Sequence, residues 1–379
     1  MNTFGLKTRV CFGDGSLEAL SEIVAENAVI FTDAFMQKSG NADKIASYMK
    51  KCRNISVFSE TVPDPPIELI VKALGFLMDA NTDVVVALGG GSSIDAAKST
   101  ILMFEKKTGK HVPLIAVPTT SGTGSEVTKF AVITDREAGV KYPLVSDKLL
   151  PDVAILSSEL VMSVPKSITA DTGFDVITHA LEAYISTLAN DFTDAFAEKA
   201  LELAFEYLPR ACKNGSDVEA REKMHTASCL AGMAFNDVSL GVNHGIAHAL
   251  GAVFHIPHGR ANAIMLYHVM KYNAGLDQPA GAPNTACKKM AKIARFIGLP
   301  AYNERQGANN LINEIRRLSI EVGIPRNLGE AGVAKNDYLA NKAHIVKSAV
   351  NDACTATNPR KIDSSAVEAI LKGIEKFNK

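Results

Sequence analysis

The residues best suited to chemistry are histidines, and they are unevenly spread. Residues 241–259, GVNHGIAHALGAVFHIPHG, hold four of the nine: His244, His248, His255 and His258. His244 and His248 are four apart, so on a helix they share one face. Gly251 is expected to break that helix, and Pro257 to hold the next pair in a turn or short loop. Imidazoles from a helix and the loop after it would then surround one point, and histidine is the commonest protein metal ligand. The plainer alternative is that two or three of these rings are core or helix-capping histidines.

A second pair, Asp175 and His179, lies four residues apart in DTGFDVITHALEAYIS (171–186). Alone, an acid and a histidine at this spacing are a common helix-surface coincidence. Beside the histidine cluster the weighing changes, because Asp175, His179, His244 and His258 together offer one carboxylate and three imidazoles. That set suits a divalent transition metal of borderline softness and excludes calcium or a thiolate zinc site. It does not separate Fe2+ from Zn2+: raw affinity favours zinc, so iron must win by availability and geometry. His248 and His255 are then candidates to support ligands or relay protons.

The first half offers a different chemistry. Residues 83–88 (DVVVAL) are apolar almost throughout, as in a parallel strand buried on both faces. Gly89, Gly90, Gly91 and Ser92 follow, ahead of a helix expected to run towards Phe104. Further strands are expected at 9–12, 28–32, 54–58 and 114–117, with helices at 16–26, from 33 to about 51, and at 67–80. This alternation defines an α/β layer with helices on both faces. Ligands of such layers bind beyond the carboxyl ends of the strands, where three turns fall. Asp33 could accept hydrogen bonds from ribose hydroxyls, the glycine turn could admit a pyrophosphate at a helix N-terminus, and TTSGTGSE (119–126) adds hydroxyls. Ile94 stands where GxGxxG needs its third glycine, so the fingerprint is incomplete, and no GxxxxGK[ST] is present. The turns together favour a dinucleotide, and a carboxylate at Asp33 favours NAD over NADP by repelling a 2′-phosphate.

From about residue 165 the pattern becomes helical, with helices expected at 171–186, 191–207, 218–236, 242–250, 282–297, 307–322 and 364–377. The chain therefore divides into an α/β dinucleotide-binding domain (1–165) and an all-α metal-binding, catalytic domain (166–379). Its 379 residues exceed the usual size of a single core. A net charge of −1 gives no electrostatic case for nucleic acid or an anionic membrane. No apolar run reaches transmembrane length, no secretory signal is recognisable, and six scattered cysteines suggest reduced thiols in a cytoplasm.

A dinucleotide domain with a mononuclear metal domain suggests hydride transfer to a carbonyl polarised by the metal. GGGSSIDAAK, PTTSGTGSEVT, DTGFDVITHALEAY, NHGIAHALGAVFHIPHG and DACTATNPR, in this order, resemble the iron-dependent (group III) alcohol dehydrogenases over essentially the whole chain. The resemblance implies that family's dehydroquinate-synthase-like architecture, with an NAD(H)-binding α/β domain, a helical domain and one Fe2+. It implies metal ligands at Asp175, His179, His244 and His258, and pyrophosphate contacts from Gly89 to Ser92. Further cofactor contacts fall on Asp95, Thr119, Thr120, Thr128 and Lys141, with Lys98 completing the glycine-rich motif. His248 matches a histidine in the proton path, which makes His248, Asp175 and His258 the catalytic candidates. Phe235, Leu240 and Cys354 match positions lining a substrate channel.

Within the family, VFSETVPDPP, KYPLVSD, DFTDAFAEKALELAF, KMHTASCLAGMAF and TNPR are similar to the propanol dehydrogenases of propanediol utilisation. That subgroup implies reduction of propionaldehyde to 1-propanol, a homodimer or larger homo-oligomer, and microcompartment shell or core proteins as partners. Ethanol, butanol and diol dehydrogenases also fit, since one methylene changes discrimination by only about 1–3 kcal/mol. A lyase of dehydroquinate synthase type would need several cleft lysines or arginines, and 171–186 and 241–259 contain none. A metal-stabilised scaffold without catalysis would leave the cofactor turns without purpose.

Overall fold

The computed structural model describes residues 4–137, 140–278 and 281–377. The chain forms two compact units, Met1–Val164 and Pro165–Lys379. The first alternates strands and helices in chain order: β1 (Arg9–Phe12), β2 (Ala25–Asp33), α1 (Ala34–Lys38), α2 (Asn41–Tyr48), β3 (Cys52–Thr61), α3 (Ile67–Asp79), β4 (Val84–Gly89), α4 (Gly91–Thr108), β5 (Leu114–Pro118), β6 (Phe130–Asp135), β7 (Val140–Val145) and β8 (Val153–Leu156). Six strands form a parallel sheet in the order β1-β8-β5-β4-β2-β3. The strand period of two sends Val84, Val86 and Leu88 of β4 into one core and Val85 and Ala87 into the other. The unbroken apolar run is thus what a central strand covered on both faces requires. The glycine turn and Thr119 follow the ends of the adjacent strands β4 and β5.

Several elements differ from the sequence reading. The helix expected at 16–26 is a 3-10 turn ending at Glu22, and β2 begins at Ala25. The polar start of β2, Ala25–Glu26–Asn27, is partly exposed at the end of the strand, which hid it. The antiparallel β6–β7 hairpin and the four-residue β8 were not anticipated; β8 is held by β1 on one side and β5 on the other.

Among its described residues the second unit contains helices and 3-10 turns only: α5 (Lys166–Ile185), α6 (Asp191–Lys213), α7 (Val218–Val238), α8 (Val242–Phe254), α9 (His258–Asn273), α10 (Thr285–Phe296), α11 (Glu304–Val322), α12 (Lys335–Asn351) and α13 (Ser364–Leu371). Gly251 does not end α8, which runs on to Phe254. His255 caps it in the left-handed conformation, at φ 55°, and His258 opens α9 instead of lying in a loop. α12 also escaped the sequence reading: it is polar over most of its surface and buries only Tyr338, Ile345, Val346 and Ala349. No helix among the described residues is long and apolar enough to cross a membrane.

Candidate metal centre and nucleotide turn

Three helices of the second unit bring the four anticipated ligand residues together. α5 carries Asp175 and His179 on one face, α8 carries His244, and α9 starts with His258. One ligand atom from each lies within 4.8 Å of the others. Asp175, His179 and His244 are buried, whereas the His258 side chain is 41% exposed. The rings of His179 and His244 stack at 4.7 Å, and those of His244 and His258 lie 5.3 Å apart. Close approach of α9 to α5 requires a glycine, because a Cβ on Gly259 would stand 2.2 Å from the Asp171 carbonyl oxygen. Next to it, the Arg260 guanidinium grips the Asp171 carboxylate through two hydrogen bonds, of 3.1 and 2.9 Å.

The lone pairs at this point converge. Asn262 Nδ2, one helical turn after His258, lies 2.7 Å from Asp175 Oδ1, 3.1 Å from His244 Nε2 and 3.2 Å from His258 Nε2. One amide nitrogen thus lies within 3.2 Å of a carboxylate oxygen and two imidazole nitrogens. A divalent cation would satisfy all of them, and one carboxylate with three imidazoles fits iron or zinc.

Two carboxylates that the sequence reading did not select orient this cluster. Glu182, buried and one turn beyond His179, accepts the backbone N–H of Asn243 at 2.7 Å and of His244 at 3.3 Å. Its other contact is His244 Nδ1, at 2.5 Å. With its ring proton on Nδ1 facing Glu182, His244 would leave Nε2 directed at the centre. Burial pushes the Glu182 carboxyl up to about 8, opposed by the backbone N–H groups it accepts. Burial and the surrounding His179, His258 and His248 push His244 well below its ordinary value, so this ring is neutral. Glu182 was legible in principle, because D-x3-H-x2-E places all three residues on one helix face.

Asp352, in the late DACTATNPR stretch, does the same for His248: its Oδ2 lies 2.9 Å from His248 Nδ1. Burial raises the Asp352 carboxyl, but the hydrogen bond and charge of His248, together with hydrogen bonds from Cys354, outweigh it and hold the group below its usual range. The His248 ring stacks on His258 at 5.3 Å. His255 is exposed at the end of α8 and lies outside the cluster. Phe235 stacks on His179 at 4.6 Å, and Leu240 is buried in the link between α7 and α8.

In the first unit, α4 begins at the glycine turn with no side-chain cap, and Gly90, Gly91 and Ser92 are only partly buried. Its first N–H groups are therefore suited to a pyrophosphate. Thr119 and Thr120 follow β5, and Thr120 packs against Gly90. Asp33 ends β2 and caps α1, one oxygen accepting from Phe35 and Met36 N–H at 2.8 and 2.9 Å. Its second oxygen lies on the Gly89 side. Asp95 and Thr128 have protein partners instead. Asp95 accepts from the Ser125 hydroxyl at 2.6 Å and Val132 N–H at 3.0 Å. Buried Lys98 donates to the carbonyls of Thr128 and Phe130 at 2.7 and 2.9 Å, with the Thr128 hydroxyl at 3.4 Å. Burial lowers Lys98 to about 8 against the opposing pull of Asp95 and Glu126. This network fixes the 119–128 loop beside the glycine turn from beneath. Lys141, on β7, pairs with Asp64 at 2.5 Å.

A cluster of four ligand residues from three helices in the helical unit, and an uncapped glycine turn at the end of a parallel sheet in the other, are the marks of a metal- and nucleotide-dependent oxidoreductase. The chain belongs to the iron-containing alcohol dehydrogenases: residues 7–158 match that family, and residues 169–374 match its C-terminal domain. It is 44% identical to the 1-propanol dehydrogenase PduQ of Salmonella typhimurium, across 98% of this chain and 99% of that one. Among solved structures, a 1,3-propanediol oxidoreductase superposes with a TM-score of 0.88 at 33% identity, covering 98% of this chain and 99% of that one. A sulfoacetaldehyde reductase from Bifidobacterium kashiwanohense, solved with NAD+, superposes with a TM-score of 0.87 at 28% identity and full coverage of both chains.

If Glu182 fixes the His244 tautomer, Glu182→Gln will weaken metal affinity by about 10–100-fold. Competition with a chelator measures this, and wild-type affinity in the variant would contradict the assignment.

Proposed function

We propose that this protein is an Fe2+-dependent, NAD(H)-linked alcohol dehydrogenase that reduces propionaldehyde to 1-propanol. The observation that carries the reading is the convergence of the Asp175, His179, His244 and His258 donor atoms, all within 4.8 Å. The full-length likeness to a 1-propanol dehydrogenase supports the C3 substrate. The relative in complex with NAD+ supports the cofactor, and Asp33 supports NAD over NADP. A microcompartment of propanediol utilisation as the site of action, and a homo-oligomeric state, rest on the subgroup likeness.

In this reading Asp175, His179, His244 and His258 hold the iron, and Gly89 to Ser92 with Thr119 and Thr120 hold the dinucleotide. When bound, the iron supplies a Lewis acid for the aldehyde oxygen and the dihydronicotinamide supplies the hydride. His248 delivers the proton that completes the alcohol from Nε2. Asp352 holds Nδ1 of the same ring, and the side chain, 39% exposed, can recover its proton from solvent. Phe235, stacked on His179, and the buried Leu240 are the apolar side chains that would line the path of a short aliphatic chain.

Anaerobic oxidation of NADH by propionaldehyde tests the reading. Metal-stripped protein refilled with Fe2+ will turn over, His258→Ala will not, and His248→Ala will lower kcat by about 10²–10⁴-fold. Absence of turnover with any C2–C4 aldehyde, despite bound metal and NADH, would sink it. Asp33→Gly tests the cofactor reading separately: the NAD/NADP ratio of kcat/KM will fall, and an unchanged ratio would count against Asp33.

A further inference from the structure

A second group of ligating atoms lies beside the first and shares none of its residues. His248 on α8, with Asp352 and Cys354 at the 3-10 turn after α12, places an imidazole nitrogen, a carboxylate oxygen and a thiol sulfur within 4.8 Å of one another. The turn (Ala353–Thr357) sits tightly on α8 because residue 245 is glycine: a Cβ there would stand 2.3 Å from Thr355 Oγ1 and 3.0 Å from the Ala349 carbonyl oxygen. Thr355 ties the turn down by donating to that carbonyl at 2.7 Å. Asp352 Oδ1 accepts the Cys354 N–H at 2.9 Å, while its Oδ2 faces His248 Nδ1. The three donors are thus held in place by backbone packing, and all three side chains are half-buried, within reach of ions from solvent.

The donor chemistry differs from that of the first group. Asp175, His179, His244 and His258 offer only nitrogen and oxygen, whereas this group adds sulfur, which selects zinc-like and softer cations. We propose that His248, Asp352 and Cys354 form a second site for a borderline-to-soft divalent cation such as Zn2+, Co2+ or Cd2+, and that filling it arrests turnover. Three protein ligands leave one position for water. Burial and the Asp352 and Glu182 carboxylates keep the Cys354 thiol protonated in the metal-free protein. A cation entering the site displaces that proton to solvent and forms the metal–sulfur bond, with no change of oxidation state. It also occupies the His248 nitrogen and the Asp352 oxygen that otherwise hold each other, so His248 loses its orientation. Binding depends on these ligand atoms alone; the arrest also rests on the proton role proposed for His248.

Co2+ is the direct probe, because only the second site contains a thiol. Metal-stripped, fully reduced protein titrated anaerobically with Co2+ should take up two equivalents, with a thiolate-to-cobalt charge-transfer band rising with one of them. The band should persist in His258→Ala and vanish in Cys354→Ser, while visible cobalt bands from the other site remain in Cys354→Ser and report an intact fold. Excess Zn2+ should inhibit the Fe2+-loaded protein, and Cys354→Ser should need at least tenfold more zinc for the same fractional inhibition of its own rate. No charge-transfer band at saturating Co2+, or a band that survives in Cys354→Ser, would overturn the site. Unchanged zinc sensitivity in Cys354→Ser would overturn the arrest. The cobalt spectra are independent of aldehyde reduction, so failure of this site and failure of the proposed activity are distinguishable.

Discussion

A buried acceptor lone pair needs a donor, and this constraint organises the helical unit. Asp175 and His244 are almost fully inaccessible to water, and unpaired polar atoms in such a place cost on the order of 1–3 kcal/mol each. Asn262 Nδ2 lies within hydrogen-bond distance of Asp175, His244 and His258 at once. Several lone pairs directed at one buried point are a costly way to build a core and a good way to build a cation site. The surrounding structure holds them there: Glu182 fixes the His244 ring, Gly259 allows α9 to reach the backbone of α5, and Arg260 clamps Asp171 beside it.

A similar economy appears in the parallel sheet. The glycine turn and the threonine loop stand at the ends of adjacent central strands, where backbone N–H groups are free of side-chain caps. Beneath them Lys98 and Asp95 hold the loop and hairpin in register without facing the turn. The glycine-rich motif thus serves two ends: the backbone at its start is free of side-chain caps, and the side chains four and seven positions after Gly91 hold the neighbouring loop and hairpin.

Much of this was legible in the sequence because it lies in local spacing. The i, i+4 pairs Asp175/His179 and His244/His248, the unbroken apolar β4 and the family motifs all point to the architecture found. What escaped depends on contacts distant in sequence or on weak patterns. β8 is four residues long and is a strand only because β1 and β5 flank it. Asn262 was hidden because Pro257 suggested a loop, whereas proline here precedes the first residue of α9, where its missing N–H costs nothing. Asp352 lies 104 residues from the histidine it orients, and no local period reveals such a partner.

The central claim is that one iron is held by a carboxylate and three imidazoles, with no sulfur. X-ray absorption at the iron edge of protein carrying one equivalent of Fe2+ tests it most directly. The account predicts a first shell of nitrogen and oxygen only, with outer-shell scattering from three imidazole rings, reduced to two in His258→Ala. A sulfur ligand in the first shell, or a spectrum unchanged by His258→Ala, would contradict it.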